Sequence, residues 1–550
     1  MAIVVKKKTR GFAAKSGASS AGSSLRPKYQ PKTPPCQVAC PSSEPIRFYL
    51  RNIAEGNAVE ESWRQLVDKN PIPAVMGRVC PHPCEGGCNR QYKQEDDGGP
   101  VAINNVERFI GDYGIQNGLK LSKLTDETHA EKIAVIGAGP AGISCAYQLA
   151  RRGYKVTIFE QFPEAGGMLR YGIPSYRLPR EVLKAEIGRI LDLGVELKTN
   201  CKIGRDISFD QIKSGYQAIY LGIGAHTGIT LDIPGEDAPN VFTGAAYLNK
   251  INQGEKVEIG DTVVVIGGGD SAIDAARTSW RLGANVTIAY RRSRKEMPAI
   301  SHEVDEALSE GLKLEELAAP VEIVKGADGR ATGVKMIRME LGEPDASGRR
   351  RPKPVEGSEF VMPATTVIAA VSQKPDYAGL EKFSNGDGWI GVNQHFETSE
   401  GNVFAGGDVT LKLGLVTEAV GLGRKAAVNI DNKLRGREMV VEQNGGIAVK
   451  EKMLLGWYKN APRNNYSTIP LEERRSFKEA NLSLTLEQVQ AETARCMSCG
   501  ACFDCENCWM YCQDNAVIKN GPKDYAFKLE NCIGCSKCAE NCPCGYIDMQ

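Results

Sequence analysis

The 550-residue chain carries 68 basic and 67 acidic side chains, a formal charge of +1, so no net field draws it to nucleic acid or to an anionic membrane. Hydrophobic residues make up 42% of it, enough for several cores, and the length suggests about three or four domains. No apolar run approaches the ~20 residues that span a bilayer and the N-terminus lacks a secretory h-region, so a cytoplasmic location without a membrane span is expected.

Residues 1–30 are of low complexity: Lys6, Lys7, Lys8 and Arg10 precede an Ala/Gly/Ser stretch ending near Ser24, and a disordered tail is expected. Residues 31–125 hold five cysteines, Cys36, Cys40, Cys80, Cys84 and Cys88, among helix-like segments such as Ile46–Ala54 and Ala58–Val67. Glycines and prolines punctuate this helical domain around Pro71–Pro83.

A first nucleotide-binding domain is expected over 131–260, completed by 396–436. Gly137-Ala138-Gly139-Pro140-Ala141-Gly142 follows the strand-like KIAVI and opens a helix. Gly137 permits the tight turn, Gly139 lets a pyrophosphate approach the backbone, and Gly142 lets helix and strand pack closely. The pyrophosphate then sits on the helix N-terminus, where unpaired N–H groups favour an anion. Glu160 ends the next strand, KVTIFE, at the spacing of a ribose-binding acid, which argues against a 2′-phosphate and for FAD or NAD. Downstream, Gly166 and Gly167 lead Leu169, Arg170 and Ile173 in a stretch whose backbone can lie against a flat cofactor. Its bland alternative is a simple turn. Gly407 and Asp408 follow the strand NVFA, and Asp408 can accept from a sugar-alcohol hydroxyl. A helix starting near Val416 and Thr417 can aim its positive end at a flavin ring.

A second domain over 261–395 repeats the theme. Gly267, Gly268, Gly269, Asp270 and Ser271 follow TVVVI, with Ala272 in the third glycine position. Its next strand, NVTIAY, ends in Arg291, Arg292 and Arg294, basic where the first domain has Glu160. Guanidinium forks suit the 2′-phosphate of NADP, against the alternative of a solvated basic turn. Ala346–Gly357 reads as an exposed hairpin loop. Outside the terminal segments only Cys145 and Cys201 remain. They are too far apart for a flavin-side dithiol and read as packed thiols.

A helical connector is expected over 437–495, ahead of a cysteine-rich tail over 496–550 that holds eleven of the eighteen cysteines. Two C-x2-C-x2-C-x3-C runs, Cys502, Cys505, Cys508, Cys512 and Cys532, Cys535, Cys538, Cys542, carry the ferredoxin signature for two 4Fe–4S clusters. In that signature the fourth cysteine of each run serves the other cluster, so Cys542 joins the first three and Cys512 the second three, leaving Cys544 over. Such spacing in so long a chain favours metal ligation in a reducing compartment over a disulfide framework.

The motifs CQVACP, NPIPAVMGRVCPHPCEGGC, VIGAGPAG, GGMLRYGIP, VVVIGGGDSAIDAAR, YRRSRKEMPA and AGGDV, from about Pro34 to Arg495, resemble the small (beta) subunit of NADPH-dependent glutamate synthase. The same plan occurs in the electron-input half of dihydropyrimidine dehydrogenase. The added tail looks like that of the iron–sulfur flavoprotein encoded with dissimilatory sulfite reductase. The resemblance implies an α/β chain with an N-terminal helical iron–sulfur domain, FAD and NADPH Rossmann-like domains of the glutathione-reductase type, and a ferredoxin-like α+β tail. It also makes the five N-terminal cysteines ligands. The sequence departs from the family just before Cys36, where KTPP replaces the usual Arg-Cys-x-x-Cys-Gly. A similar pair, Cys496 and Cys499, precedes the tail instead. Either this pair folds back to complete a cluster with Cys36 and Cys88, leaving Cys40, Cys80, Cys84 and a non-cysteine ligand such as Glu107 for a second, or one N-terminal cluster is accompanied by spare thiols.

The expected activity is electron exchange between NAD(P)H, FAD and 4Fe–4S clusters, to or from a sulfite reductase, a glutamate synthase large subunit or a ferredoxin. Two other readings stay open: a freestanding reductase of small acceptors, and a non-catalytic assembly or redox-sensing subunit. A homo-oligomer is also open, and no single catalytic side chain is named.

Overall fold

The computed structural model describes residues 23–93, 98–346 and 348–550. The described residues divide into a larger unit, drawn from 35–444 and 460–496, and a smaller one, residues 23–34 with 445–459 and 497–550.

Two parallel five-stranded sheets organise the larger unit. In the first, Lys132–Ile136 lies between Ala218–Leu221 and Lys155–Phe159, with Val403–Ala405 and Glu196–Lys198 at the edges. Its central strand is apolar on both faces because both are covered, as parallel strands require. The helix Pro140–Ala150, buried almost throughout, packs against Val416–Leu434, and the Ser144 hydroxyl donates to the Val420 carbonyl at 2.7 Å. That crossing is close: a Cβ on Gly423 would lie 2.1 Å from the Ala141 carbonyl oxygen.

The second sheet repeats the pattern, with Thr262–Ile266 between Asn285–Tyr290 and Thr366–Ala369. Lys313–Glu316 and Val241–Thr243 form its edges. The second domain therefore starts before residue 261, because Val241–Thr243 joins this sheet. Ala331–Pro344 and Arg350–Pro354 pair as a hairpin, within an antiparallel sheet that also holds Ala318–Lys325 and Phe360–Pro363, so the loop expected over Ala346–Gly357 is shorter and its Arg350–Pro354 part is a strand.

The N-terminal helical domain rests on one tight crossing, between Pro73–Val79 and Ile103–Gln116. A Cβ on Gly77 would lie 2.3 Å from the Arg108 nitrogen, and one on Gly111 2.2 Å from the Ala74 nitrogen. Backbone meets backbone there, which sets Cys80, the residue after the first helix, close to Glu107 on the second.

Residues 437–495 are not the helical connector that was expected: Leu486–Thr493 is the single α-helix, amid short 3-10 turns and extended chain. PRNNYSTIP lacks a helical apolar stripe, and the segment is held by point contacts instead. The buried Arg495 guanidinium donates to the carbonyls of Gly99, Pro100 and Ala461.

In the smaller unit the short helices Asn507–Met510 and Lys537–Glu540 accompany the hairpin Val517–Gly521/Asp524–Phe527. The last strand, Ile547–Met549, pairs antiparallel with Pro27–Tyr29. The expected tail over 1–30 is thus too long. Its part from residue 23 belongs to this unit, whereas residues 1–22 lie outside the described residues. No described helix is long and apolar enough to cross a membrane.

Candidate cofactor and iron–sulfur sites

One cleft of about 850 Å³ in the larger unit is lined by both glycine loops. On the first side, Gly137 takes φ +100° at the turn after Lys132–Ile136. A Cβ on Gly142 would lie 2.0 Å from the Gly137 oxygen, so only glycine lets the helix seat there. Gly139 faces open space, its nearest neighbour being the Gly167 Cα 3.9 Å from where a Cβ would stand. Gly166 takes φ +133° and Gly167 φ +53°, values that favour glycine. Gly139, Pro140, Ala141, Gly167, Leu169 and Ile173 line the cleft, joined by Gly407, Asp408 and Val416 from the returning segment. This is a bare backbone cradle at a helix N-terminus, the shape a dinucleotide pyrophosphate needs.

Glu160 stands behind that cradle. Its carboxylate accepts from the N–H groups of Ala138 at 2.8 Å and Phe162 at 2.9 Å, while burial pushes its pKa up. It therefore braces the glycine loop from within. Asp408 accepts from the Gly414 N–H at 3.1 Å, and burial raises its pKa as well. Arg170 turns away from the cleft to Glu164, 2.7 Å distant. His226, which the sequence did not mark, lines the cleft, and burial pushes its imidazole down to about 4, leaving it neutral at pH 7.

Gly267, Gly268, Gly269, Asp270, Ser271, Arg291 and Arg292 line the other side. Asp270 is spoken for structurally, accepting from the Ile300 N–H at 2.9 Å. Arg292 donates to Asp345 at 2.9 Å and to the Arg350 carbonyl at 2.8 Å, so the hairpin fixes its fork. Arg294 pairs with Asp305 on the surface and does not line the cleft. Arg349, from the hairpin, takes its place there. Sequence alone gave Arg349 no role because the hairpin, not chain proximity, delivers it.

The cleft also reaches the cysteine-bearing helical domain through Val79 and Pro81, on either side of Cys80. Thr417 Oγ1 lies 3.9 Å from Cys40 Sγ and 3.0 Å from Ser42 Oγ. Cys40 and Cys84 are buried, with desolvation and the neighbouring Cys80 and Glu107 raising both thiols. The His82 N–H donates to Cys80 Sγ at 3.3 Å. Glu107 accepts from Asn70 at 2.7 Å and lies 2.7 Å from His82 Nε2, with lone pairs to spare on each oxygen. Buried thiols of raised pKa become thiolates only beside a compensating cation, so this donor set fits an iron–sulfur core. Cys36, Cys88 and Cys496 pack against the same hydrophobic core, where Arg90 donates to the Arg495 carbonyl at 2.5 Å.

In the smaller unit Cys502, Cys505, Cys508 and Cys542 line one small cavity together with Cys544. Cys512, Cys532, Cys535 and Cys538 line a second. Burial pushes Cys508 up to about 12, and Cys505 and Cys538 to about 11. Backbone N–H groups of Ala516 and Tyr546 donate to Cys512 and Cys542 at 3.2 and 3.3 Å, as N–H groups do to cluster sulfurs. Cys499 belongs to this unit, and the next residue, Gly500, accepts from the Lys32 N–H at 2.9 Å. Among the described residues no three His, Cys, Asp or Glu side chains converge as on a single metal ion. None of the cysteines is joined in a disulfide. Cys145 is fully buried and Cys201 sits at a core edge, as packed thiols do.

A family model described as pyridine nucleotide-disulphide oxidoreductase matches residues 131–423, and one described as dihydropyrimidine dehydrogenase domain II, 4Fe-4S cluster, matches residues 16–119. The NADP(+)-dependent formate dehydrogenase subunit beta of Moorella thermoacetica is 38% identical over 533 residues, covering 89% of this chain and 73% of that one. The NADPH-Fe(3+) oxidoreductase subunit beta of Geobacter sulfurreducens is 36% identical over 85% of this chain and 75% of its own. The glutamate synthase [NADPH] small chain of Escherichia coli is 38% identical over 73% of this chain and 89% of its own. FprA from Mycobacterium tuberculosis shares the fold with a TM-score of 0.50 at 18% identity, over 56% of this chain and 85% of that one. With the two-loop cleft beside buried cysteines, these matches place the chain in the pyridine nucleotide-disulphide oxidoreductase family, among the glutamate synthase small chain-like NAD(P)H-dependent iron–sulfur flavoproteins.

Proposed function

We propose that the chain is the NADPH-facing subunit of a larger oxidoreductase, passing electrons between the nicotinamide and a partner through N-terminal and tail clusters. The observation that carries this reading is the single cleft, which joins both glycine loops to Val79 and Pro81 beside Cys80. FAD supplies the exchange between hydride pairs and single electrons. The residues do the rest by binding and orientation. Pro140 and Ala141 open the helix that receives the first pyrophosphate. Arg291 and Arg349 would offer forks to a 2′-phosphate, beside Arg292, whose own fork is held by Asp345 and the Arg350 carbonyl. The N-terminus of Val416–Leu434 opens on the cleft through Val416 and would favour negative charge on a flavin bound there.

The partner reading is supported by relatives named as subunits or small chains. A glutamate synthase-type or formate dehydrogenase-type large subunit, or a ferredoxin, fits equally. A sulfite reductase is supported by the tail's sequence likeness alone. Anaerobic affinity purification from the native cell tests the reading. A co-purifying oxidoreductase subunit supports it, and recovery of the chain alone, loaded with flavin and iron, overturns it in favour of a freestanding reductase.

The fold-back assignment of Cys496 and Cys499 is part of the same proposal. Replacing both with Ser removes about four irons per chain if they complete a cluster. Unchanged iron sinks the assignment.

A further inference from the structure

Tyr29 sits in a segment whose sequence reads as tail, yet it lies at the wall of a cysteine-lined cavity. The strand Pro27–Tyr29 pairs with Ile547–Met549, with Tyr29 opposite Ile547. The ring stacks on Phe527 with centroids 4.2 Å apart and an interplanar angle of 18°, and on Tyr546 at 5.5 Å. So fixed, its hydroxyl oxygen lies 3.8 Å from Cys508 Sγ, within reach for an atom of sulfur's radius. Tyr29 lines the cavity with Cys502, Cys505, Cys508 and Cys542. The other tyrosine hydroxyl with a partner at that cavity, Tyr525, is turned to Asp504.

Ser536 and Lys537 line the second cavity, but among the described residues no side-chain hydroxyl there is hydrogen-bonded to a cysteine sulfur: the same strand contributes Pro27 to its wall, and its Cys535 is exposed. The N-terminal segment still presses on it. A Cβ on Gly534, between Cys532 and Cys535, would lie 2.5 Å from the Ser23 oxygen and 2.7 Å from the Leu25 oxygen. One short segment therefore closes both cysteine loops, but it brings a hydroxyl to only one.

The geometry points to Tyr29 as a tuning residue that donates its O–H to the Cys508 sulfur and raises the reduction potential of the cluster held by Cys502, Cys505, Cys508 and Cys542 above that of its neighbour. A cysteine bound to iron carries no proton, so the phenol is the donor. A hydrogen bond to a ligand sulfur stabilises the more negative, reduced cluster, which moves its potential upward. The inference rests on the reading of the tail as a two-cluster module.

The test is a redox titration of the full-length anaerobic chain followed by EPR, with iron content measured alongside. Tyr29→Phe keeps the ring and its stacking and removes only the hydroxyl. One cluster component should move to a more negative midpoint and the others should stay. Placing 3-fluorotyrosine at position 29 gives a stronger donor of nearly the same shape and should move the same component the other way. It also keeps the test valid should Tyr29→Phe lose iron. Unmoved midpoints in a fully loaded variant overturn the inference alone. A wild-type chain that binds no tail clusters overturns the two-cluster reading together with it.

Discussion

Arg291 and Arg349 reach the nucleotide cleft from different elements, one from the end of Asn285–Tyr290 and the other from the hairpin tip. A charged hydrogen bond is worth roughly 1.5–3 kcal/mol, and each 1.4 kcal/mol is a factor of ten. Replacing both arginines with Gln should therefore raise KM for NADPH by about 100-fold or more while leaving KM for NADH nearly unchanged. Steady-state kinetics with both nucleotides checks it, and equal losses for the two would assign the pair a structural role. Arg291 was legible because it follows a strand that repeats the first domain's pattern. Arg349 was not, since a hairpin brings it in from a distant part of the chain. Glu160 was expected to bind a ribose, but it stands outside the cleft lining and its carboxylate accepts from Ala138 and Phe162, a brace that strand spacing does not reveal. Tyr29 escaped because a three-residue strand is too short to show a period of two.

Among the elements, the crossing of Pro73–Val79 with Ile103–Gln116 positions the N-terminal cysteines. Gly111→Ala sets two effects against each other. Removing a mid-helix glycine gains about 0.5–1 kcal/mol. The new methyl carbon would stand 2.2 Å from the Ala74 nitrogen, a distance only backbone movement relieves. Overpacking of that kind costs roughly 1–3 kcal/mol or more, so packing wins and the variant should be less stable. Its urea midpoint should fall, and its N-terminal iron should become more labile to chelators. A midpoint equal to or above wild type would show that the helices part freely. Ile46–Ala54 was legible to its ends from apolar spacing. The glycine crossing was not, because small residues in a helix look like poor helix formers until the opposing backbone is known.

For the whole molecule, the α/β class, the two glycine loops and the helical cysteine domain could be read from local motifs, because each has its own spacing rule. The domain boundaries blurred where a domain recruits strands from outside its motif, as Val241–Thr243 and Pro27–Tyr29 show. On this reading, NADPH oxidised in the cleft delivers electrons to both sets of cysteine-held clusters. The most direct measurement is anaerobic addition of NADPH to the purified chain, followed by flavin absorbance and by EPR of reduced clusters, in wild type and in a Cys505→Ser/Cys535→Ser variant. Flavin should be reduced in both proteins, with the tail cluster signals present only in wild type. Flavin reduction with identical cluster signals in the two proteins, or with no cluster signal in either, would contradict this reading.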